Sequence, residues 1–138
     1  MKYPAIFEPA EEGGYVVQFR DIPEAFTQGD TRQEAEAMAK DVLLFVLEDY
    51  FDDRKAVPMP STPQAGDVLI ELPAIVTAKV LLLNTMIGMN IRPADLARKM
   101  AVRPQTMTNL LNLNHSTKID TVADAFKALG KTLELQVR

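Results

Sequence analysis

Three prolines stand within six residues in the segment Pro58-Met59-Pro60-Ser61-Thr62-Pro63, and no helix can pass through it. Each proline lacks an amide donor and holds its predecessor out of the helical region. Residues 57–63 are therefore a linker or an extended crossover, and the fold is built from what lies on either side. Upstream, apolar residues alternate at period two and then recur at helical spacing. Downstream of Pro73 the pattern is helical almost to the end. Charge changes sign at the same place: to Pro73 there are 6 Lys/Arg against 15 Asp/Glu, a net of −9, and beyond it 9 against 4, a net of +5. A basic half can meet a polyanion, whereas an acidic half is better suited to a basic protein.

In the first half, residues 3–7 and 15–19 read as an antiparallel pair closed by Gly13-Gly14. Tyr15, Val17 and Phe19 share one strand face, with Gln18 and Arg20 on the other. Residues 25–28 give a short third strand ending at Gly29-Asp30. Thr31 with Glu34 has the spacing of a capping box. It opens a helix whose Ala35, Met38, Ala39, Val42, Leu43, Val46 and Tyr50 form a stripe able to cover a sheet. Residues 68–72 alternate as a fourth strand. The expected class is α+β, with a β-β-β-α-β domain over residues 1–72 and an all-α domain over 73–138 that finishes in a strand at 133–137.

Within the second domain, residues 74–87 are apolar over most of the helix circumference, as in a helix buried on several sides. Residues 93–100 and 105–112 read as two short helices separated by Ala101-Val102-Arg103. Thr117 with Asp120 is a second capping box, opening a helix that stops before Gly130. Met38, Met86, Met100 and Met107 fall on inward faces.

Residues 91–111 carry the functional signal. Ala94-Asp95-Leu96-Ala97 lets two helices approach, Val102 fills the turn, and Met107, Leu110 and Leu111 face inward. This is a helix-turn-helix pattern, in which the second helix enters the major groove. Its outward residues Gln105, Thr106, Thr108 and Asn109 are types that bond bases and phosphates, and Gln and Asn can pair bidentately with adenine. Asn112 belongs to the same polar set. Arg92, Arg103 and Lys118 are placed to pair with phosphates, and His115 to touch phosphate or cap a loop. Ala101 stands where this motif usually has Gly. The alternating segment 133–137 has no strand partner near it in sequence, so pairing between copies into a dimer or a higher even-numbered oligomer is expected.

Other chemistries find little support. The chain has no Cys and one His, which leaves no thiol nucleophile, disulfide or multi-histidine metal site. Glu8, Asp21, Glu48 and Asp49 are the obvious carboxylates for a two-metal nuclease, but no acid lies mid-strand in the first strand, and a solvated acidic face is the better reading. No catalytic residue, metal or cofactor is expected. The start Met1-Lys2-Tyr3-Pro4 lacks the apolar core of a signal peptide and no apolar run approaches a membrane span, so a cytoplasmic protein without membrane association is expected.

The whole chain resembles the HicB antitoxin family. The resemblance rests on Gly13-Gly14-Tyr15, Asp21-Ile22-Pro23, Thr27-Gln28-Gly29-Asp30-Thr31, Glu34-Ala35, Val57-Pro58-Met59-Pro60, Leu96-Ala97-Arg98 and Thr117-Lys118-Ile119-Asp120. It departs at Glu24-Ala25, where relatives often have Gly after the turn. The resemblance implies a reduced RNase H-like N-terminal domain that binds and blocks a small basic mRNA-cleaving toxin of the HicA type. It also implies a C-terminal domain that binds the operon's own operator. Tyr15, Phe19 and Phe26 are then the aromatic candidates for contact with the toxin, because a buried apolar centre contributes more affinity than rim charge. Two rival readings are a stand-alone repressor with a ligand-sensing N-terminal domain and a metal-dependent nuclease.

Overall fold

Two glycines close the first hairpin. Gly13 and Gly14 take φ of 96° and 75°, and the Ala10 amide donates to the Gly14 carbonyl at 3.0 Å. In the computed structural model, which describes residues 1–138, this turn joins β1 (Lys2–Pro9) to β2 (Tyr15–Phe19), followed by β3 (Phe26–Gly29), α1 (Arg32–Asp52) and β4 (Val68–Glu71). The sheet order is β3-β2-β1-β4 with antiparallel neighbours throughout. Strand β1 outruns the expected residues 3–7 because it pairs on both sides, residues 5–9 with β2 and residues 2–5 with β4. Pro4 lies outside the β2 ladder, so its missing amide leaves no gap there.

The register places Tyr3, Ala5, Phe7, Tyr15, Val17, Phe19, Val68 and Ile70 on one face. Helix α1 starts over that face: the Arg32 guanidinium lies 4.9 Å from the Phe7 ring centre and 5.8 Å from that of Tyr15. Thr31 Oγ1 accepts the Glu34 amide at 3.0 Å, the cap expected from spacing. Ala35, Ala39, Leu43, Val46, Leu47 and Tyr50 are buried along α1, whereas Met38 is 40% exposed. Met38 sits one helical step, about 100°, from Ala39, which turns it out of the stripe.

Residues 57–67 are a crossover tied to this sheet and not a free linker. The Tyr3 hydroxyl donates to Pro58 O at 2.7 Å. The Asp21 carboxylate accepts from Ser61 N at 3.0 Å and from Ser61 Oγ at 3.1 Å. Arg20 forks onto both Asp67 oxygens at 3.1 Å, and this hydrogen bonding holds the Asp67 carboxyl below the usual carboxylate range.

Burial, reinforced by the Asp21 charge, pushes the Tyr3 hydroxyl up to about 12. Burial and the 2.8 Å bond to Glu24 do the same to Tyr50, also to about 12. An unfolded tyrosine ionises near 10, so between 10 and 12 the unfolded chain loses protons that the folded one keeps. Stability from these two groups is thus fully present below pH 10 and is lost as pH rises to 12. Tyrosinate absorbance should show Tyr3 and Tyr50 ionising late, together with a fall in thermal midpoint over that window. Two ordinary titrations near pH 10 in the folded protein would contradict this.

The chain divides into two compact units, Met1–Tyr50 with Val57–Pro73, and Phe51–Ala56 with Ala74–Arg138. The boundary therefore differs from the expected 72/73 division, because Phe51–Ala56 groups with the second unit, where Arg54 Nη2 donates to Ile91 O at 3.0 Å. Asp52, Asp53, Arg54 and Lys55 cancel, so the net charges of −9 and +5 belong to the units as well.

The second unit consists of α2 (Ala74–Gly88), α3 (Pro93–Met100), α4 (Pro104–Leu110) and α5 (Ile119–Ala128). Its core includes Leu82, Met86, Leu96, Met107, Leu110, Val122 and Phe126. Helix α4 begins at Pro104, whose fixed φ suits a first turn, and ends two residues before the expected Asn112. Lys118 is the N-cap of α5, so Thr117 and Asp120 form no capping box; the Thr117 hydroxyl lies 3.2 Å from His115 Nδ1 instead. The expected strand at 133–137 is absent: residues 131–138 form neither helix nor strand, and Leu135 and Val137 are 78% and 97% exposed. Alternation alone does not make a strand, which needs a ladder partner. The whole is a mixed α+β chain with one four-stranded antiparallel sheet and five helices, none of them long and apolar enough to cross a membrane.

Candidate functional site

The pair α3 and α4 is organised by its turn. The Ala101 amide donates to Arg98 O at 3.1 Å and the Val102 amide to Ala97 O at 3.0 Å, the paired bonds of a Schellman ending. Ala101 occupies its left-handed position with φ 56° and ψ 44°, at a cost of about 1 kcal/mol relative to Gly. Ala thus fills a left-handed position that favours Gly without loss of the turn.

Arg92, Arg103 and Lys118 are the N-caps of α3, α4 and α5. None has a side-chain oxygen to satisfy the first-turn amides, and a cation there opposes the helix dipole. Three helices in one unit thus begin with a residue chosen against local helix stability. All three side chains are exposed. Arg92 has Asp95 at 3.9 Å, and Asp95 also pairs with Arg98.

On α4, Gln105 is exposed and Asn109 half-buried, and Gln105 Nε2 donates to Asn109 Oδ1 at 3.0 Å. The two candidate base readers are therefore a bonded pair. Thr106, Asn109, His115, Ser116, Thr117, Lys118 and Thr121 line a polar cleft of about 230 Å³. Thr108 lies elsewhere: its hydroxyl donates to Pro104 O at 3.2 Å, and it borders an apolar groove of about 550 Å³ with Ala97, Arg98, Val102, Met107 and Leu111. Asn112 is exposed past the end of α4, and its Oδ1 accepts the Asn114 amide at 2.9 Å, which commits it to a local turn.

One residue that organises this surface escaped the sequence reading. Lys79, in the apolar helix α2, is 1% exposed. Its ammonium donates to the carbonyls of Asn109 at 3.2 Å, Asn112 at 2.7 Å and His115 at 3.0 Å. It closes the C-terminal end of α4 and holds the following loop, where a cation also complements the helix dipole. Burial pulls its pKa below the ordinary lysine value, while the three carbonyls give every ammonium proton an acceptor. The available signal was a lone charge among the apolar residues of 74–87.

In the first unit the three aromatic candidates separate. Phe19 is 2% exposed and belongs to the core, because its side chain shares the sheet face that α1 covers; it is no surface contact. Tyr15 is half-buried and engaged with Phe7, ring centres 6.3 Å apart, and with Arg32. Phe26 is 68% exposed on the opposite face. Phe45, at 67%, is as open and was not singled out. No three His, Asp or Glu side chains come together as a metal-holding group.

Comparison with known proteins gives a consistent picture. The family described as "HicB_like antitoxin of bacterial toxin-antitoxin system" matches residues 2–81. The chain is 53% identical over 135 residues to "Antitoxin HicB 2" of Photorhabdus laumondii, covering 98% of this chain and 95% of that protein. It is 50% identical to "Antitoxin HicB" of Escherichia coli K12, covering 98% of both. A more distant relative, "Antitoxin HicB" of Pseudomonas fluorescens, is 34% identical over 92% of this chain and 88% of that protein.

Proposed function

Since the chain belongs to the HicB-like family of antitoxins of bacterial toxin–antitoxin systems, we propose that it performs that role through two binding surfaces, one on each unit. The acidic unit, read as a reduced RNase H-like fold, binds and blocks a HicA-type mRNA-cleaving toxin. The basic unit, read as a helix-turn-helix with α4 as recognition helix, binds the operator of its own operon and represses it. Both are binding roles, exercised in the cytoplasm. The observation that carries the reading is that the net charges of −9 and +5 coincide with the two structural units. A single chain thus offers one face to a basic protein and another to a polyanion.

On the DNA side, Gln105 and Asn109 read bases while Arg92, Arg103 and Lys118 hold phosphates, with His115 and Thr106 beside Lys118 in the polar cleft. Two copies joined through the exposed C-terminal segment around Leu135 and Val137 would present two α4 helices to a two-fold operator.

The test measures affinity of the full chain for a duplex covering the region upstream of its gene and for a random duplex of equal length. Gln105→Ala and Asn109→Ala should each cost about 1 to 3 kcal/mol on the first with little effect on the second. Because the two side chains are bonded to each other, the double variant should lose less than the sum. Arg103→Ala and Lys118→Ala should weaken both duplexes alike and flatten the salt dependence. Equal losses on both duplexes for the Gln105 and Asn109 variants would refute α4 as the reading helix.

A further inference from the structure

Helix α1 presents a second stripe, opposite in character to its buried one. At 100° per residue, Glu34, Met38, Asp41, Phe45 and Asp49 lie within about 40° of the direction of Phe45. Phe45 is 67% and Met38 40% exposed, and Glu34, Asp41 and Asp49 are all exposed beside them. The basic residues of the helix lie off this stripe; Arg32 is turned onto Phe7 and Tyr15 and paired with Glu36 at 3.3 Å. Two large apolar side chains in water, flanked on the same stripe by acids alone, have the anatomy of an interface with an apolar centre and a charged rim.

A second open apolar area of this unit is the far face of the sheet. The register places Ile6, Gln18 and Phe26 there in a row, with Leu69 beyond them; Phe26 is 68% and Leu69 45% exposed. Lys2, Glu8, Glu71 and two glutamines share that face, so it has no single sign of charge to match. It lies across the sheet from α1, and one compact partner cannot cover both.

We propose that the Met38–Phe45 stripe of α1, and not the sheet face carrying Phe26, is the surface on which the acidic unit seats its toxin, a small protein presenting a lysine- and arginine-rich rim around an apolar pocket. The proposal rests on the antitoxin reading above and names the surface it uses. Charge complementarity chooses the occupant: an all-acid rim repels a second acidic unit and draws a basic protein by steered encounter. Phe45 is the anchor that enters the partner's pocket, and the acids set the rate and salt dependence of association.

The experiment uses the full chain and the purified product of a small basic reading frame adjacent to its gene, taken as the toxin, with binding read by calorimetry and association kinetics, and inhibition by RNA cleavage. Phe45→Ala should weaken binding about 30-fold or more, the size expected of an interface anchor. Asp41→Lys with Asp49→Lys should slow association at least tenfold and flatten its salt dependence. Leu69→Ala, on the opposite face, should bind within about threefold of the parent. Because Phe45 is exposed, its truncation should leave the thermal midpoint in place, which separates lost contact from lost fold. A strong loss for Leu69→Ala with none for Phe45→Ala overturns the assignment in favour of the sheet face. A fall in the mass of the free chain on Phe45→Ala overturns it in favour of a second copy. Failure of the parent chain to bind or inhibit the toxin overturns the antitoxin mechanism itself, and the assignment with it.

Discussion

Lys79→Met should lower the stability of the second unit by about 3 kcal/mol and remove operator binding at temperatures where the parent still binds. Methionine matches the stem of lysine in length and apolarity, so the substitution deletes little except the charge. It leaves the carbonyls of Asn109, Asn112 and His115 without the ammonium that now donates to all three. An unsatisfied buried carbonyl costs about 1 to 3 kcal/mol, and relief of the lysine's own desolvation offsets part of the total. For a unit of this size 3 kcal/mol is a drop of roughly 12 to 24 °C in midpoint, measurable by helical circular dichroism. Lys79→Arg should not restore the parent, since a flat guanidinium fork does not match three converging acceptors. A Lys79→Met protein melting within two or three degrees of the parent would show that water replaces the ammonium and that Lys79 organises nothing.

Gly29→Ala should be as damaging to the first unit, for a steric reason. A Cβ on Gly29 would lie 2.5 Å from Ala35 N and 2.6 Å from Ala35 Cα. Both are backbone atoms at the start of α1, so no rotamer change relieves the overlap, and either the helix or the end of β3 must move. The expected cost is about 3 kcal/mol, the upper part of the range for overpacking. The three tyrosines, Tyr3, Tyr15 and Tyr50, all lie in the first unit and the chain has no Trp, so intrinsic fluorescence reads this unit selectively. Gly130→Ala is the contrast: Gly130 has φ 75° with nothing within 4 Å of a Cβ, so only the left-handed penalty of about 1 kcal/mol applies. Equal midpoints for Gly29→Ala and the parent would mean that β3 and α1 separate freely. Toxin inhibition should fall with Gly29→Ala as well, because the displaced element is the helix that carries Phe45.

Most elements whose start or stop is written within a few residues were legible in the sequence; the exception is α5, where Thr117 and Asp120 suggested a cap position that Lys118 holds. Gly13-Gly14 with the alternation around it specified the first hairpin, Thr31 the start of α1 and Pro93 the start of α3, while α4 begins at Pro104, one residue before the expected Gln105. Ala101 stood at the turn between them, the sign change in charge fell between the two structural units, and the inward face of α4 followed from period alone. These signals are local, because caps, turns and periodicity act over one or two turns of chain.

What the sequence left open depends on partners distant along the chain. Periodicity defines two sides of α1 but not where the buried one ends, so Met38 was placed inward and Phe45 passed over until the sheet covered the other side. Phe19 and Phe26 are both strand aromatics, and only the strand register, which sends them to opposite faces, makes one core and the other surface. The alternation at 133–137 specified a possible strand, but a strand exists only when something pairs with it. Lys79 is the sharpest case: its three acceptors lie 30, 33 and 36 residues away. No local pattern encodes that meeting; only the packing of α2 against the end of α4 turns a solitary charge in an apolar run into the tie that holds the candidate recognition surface.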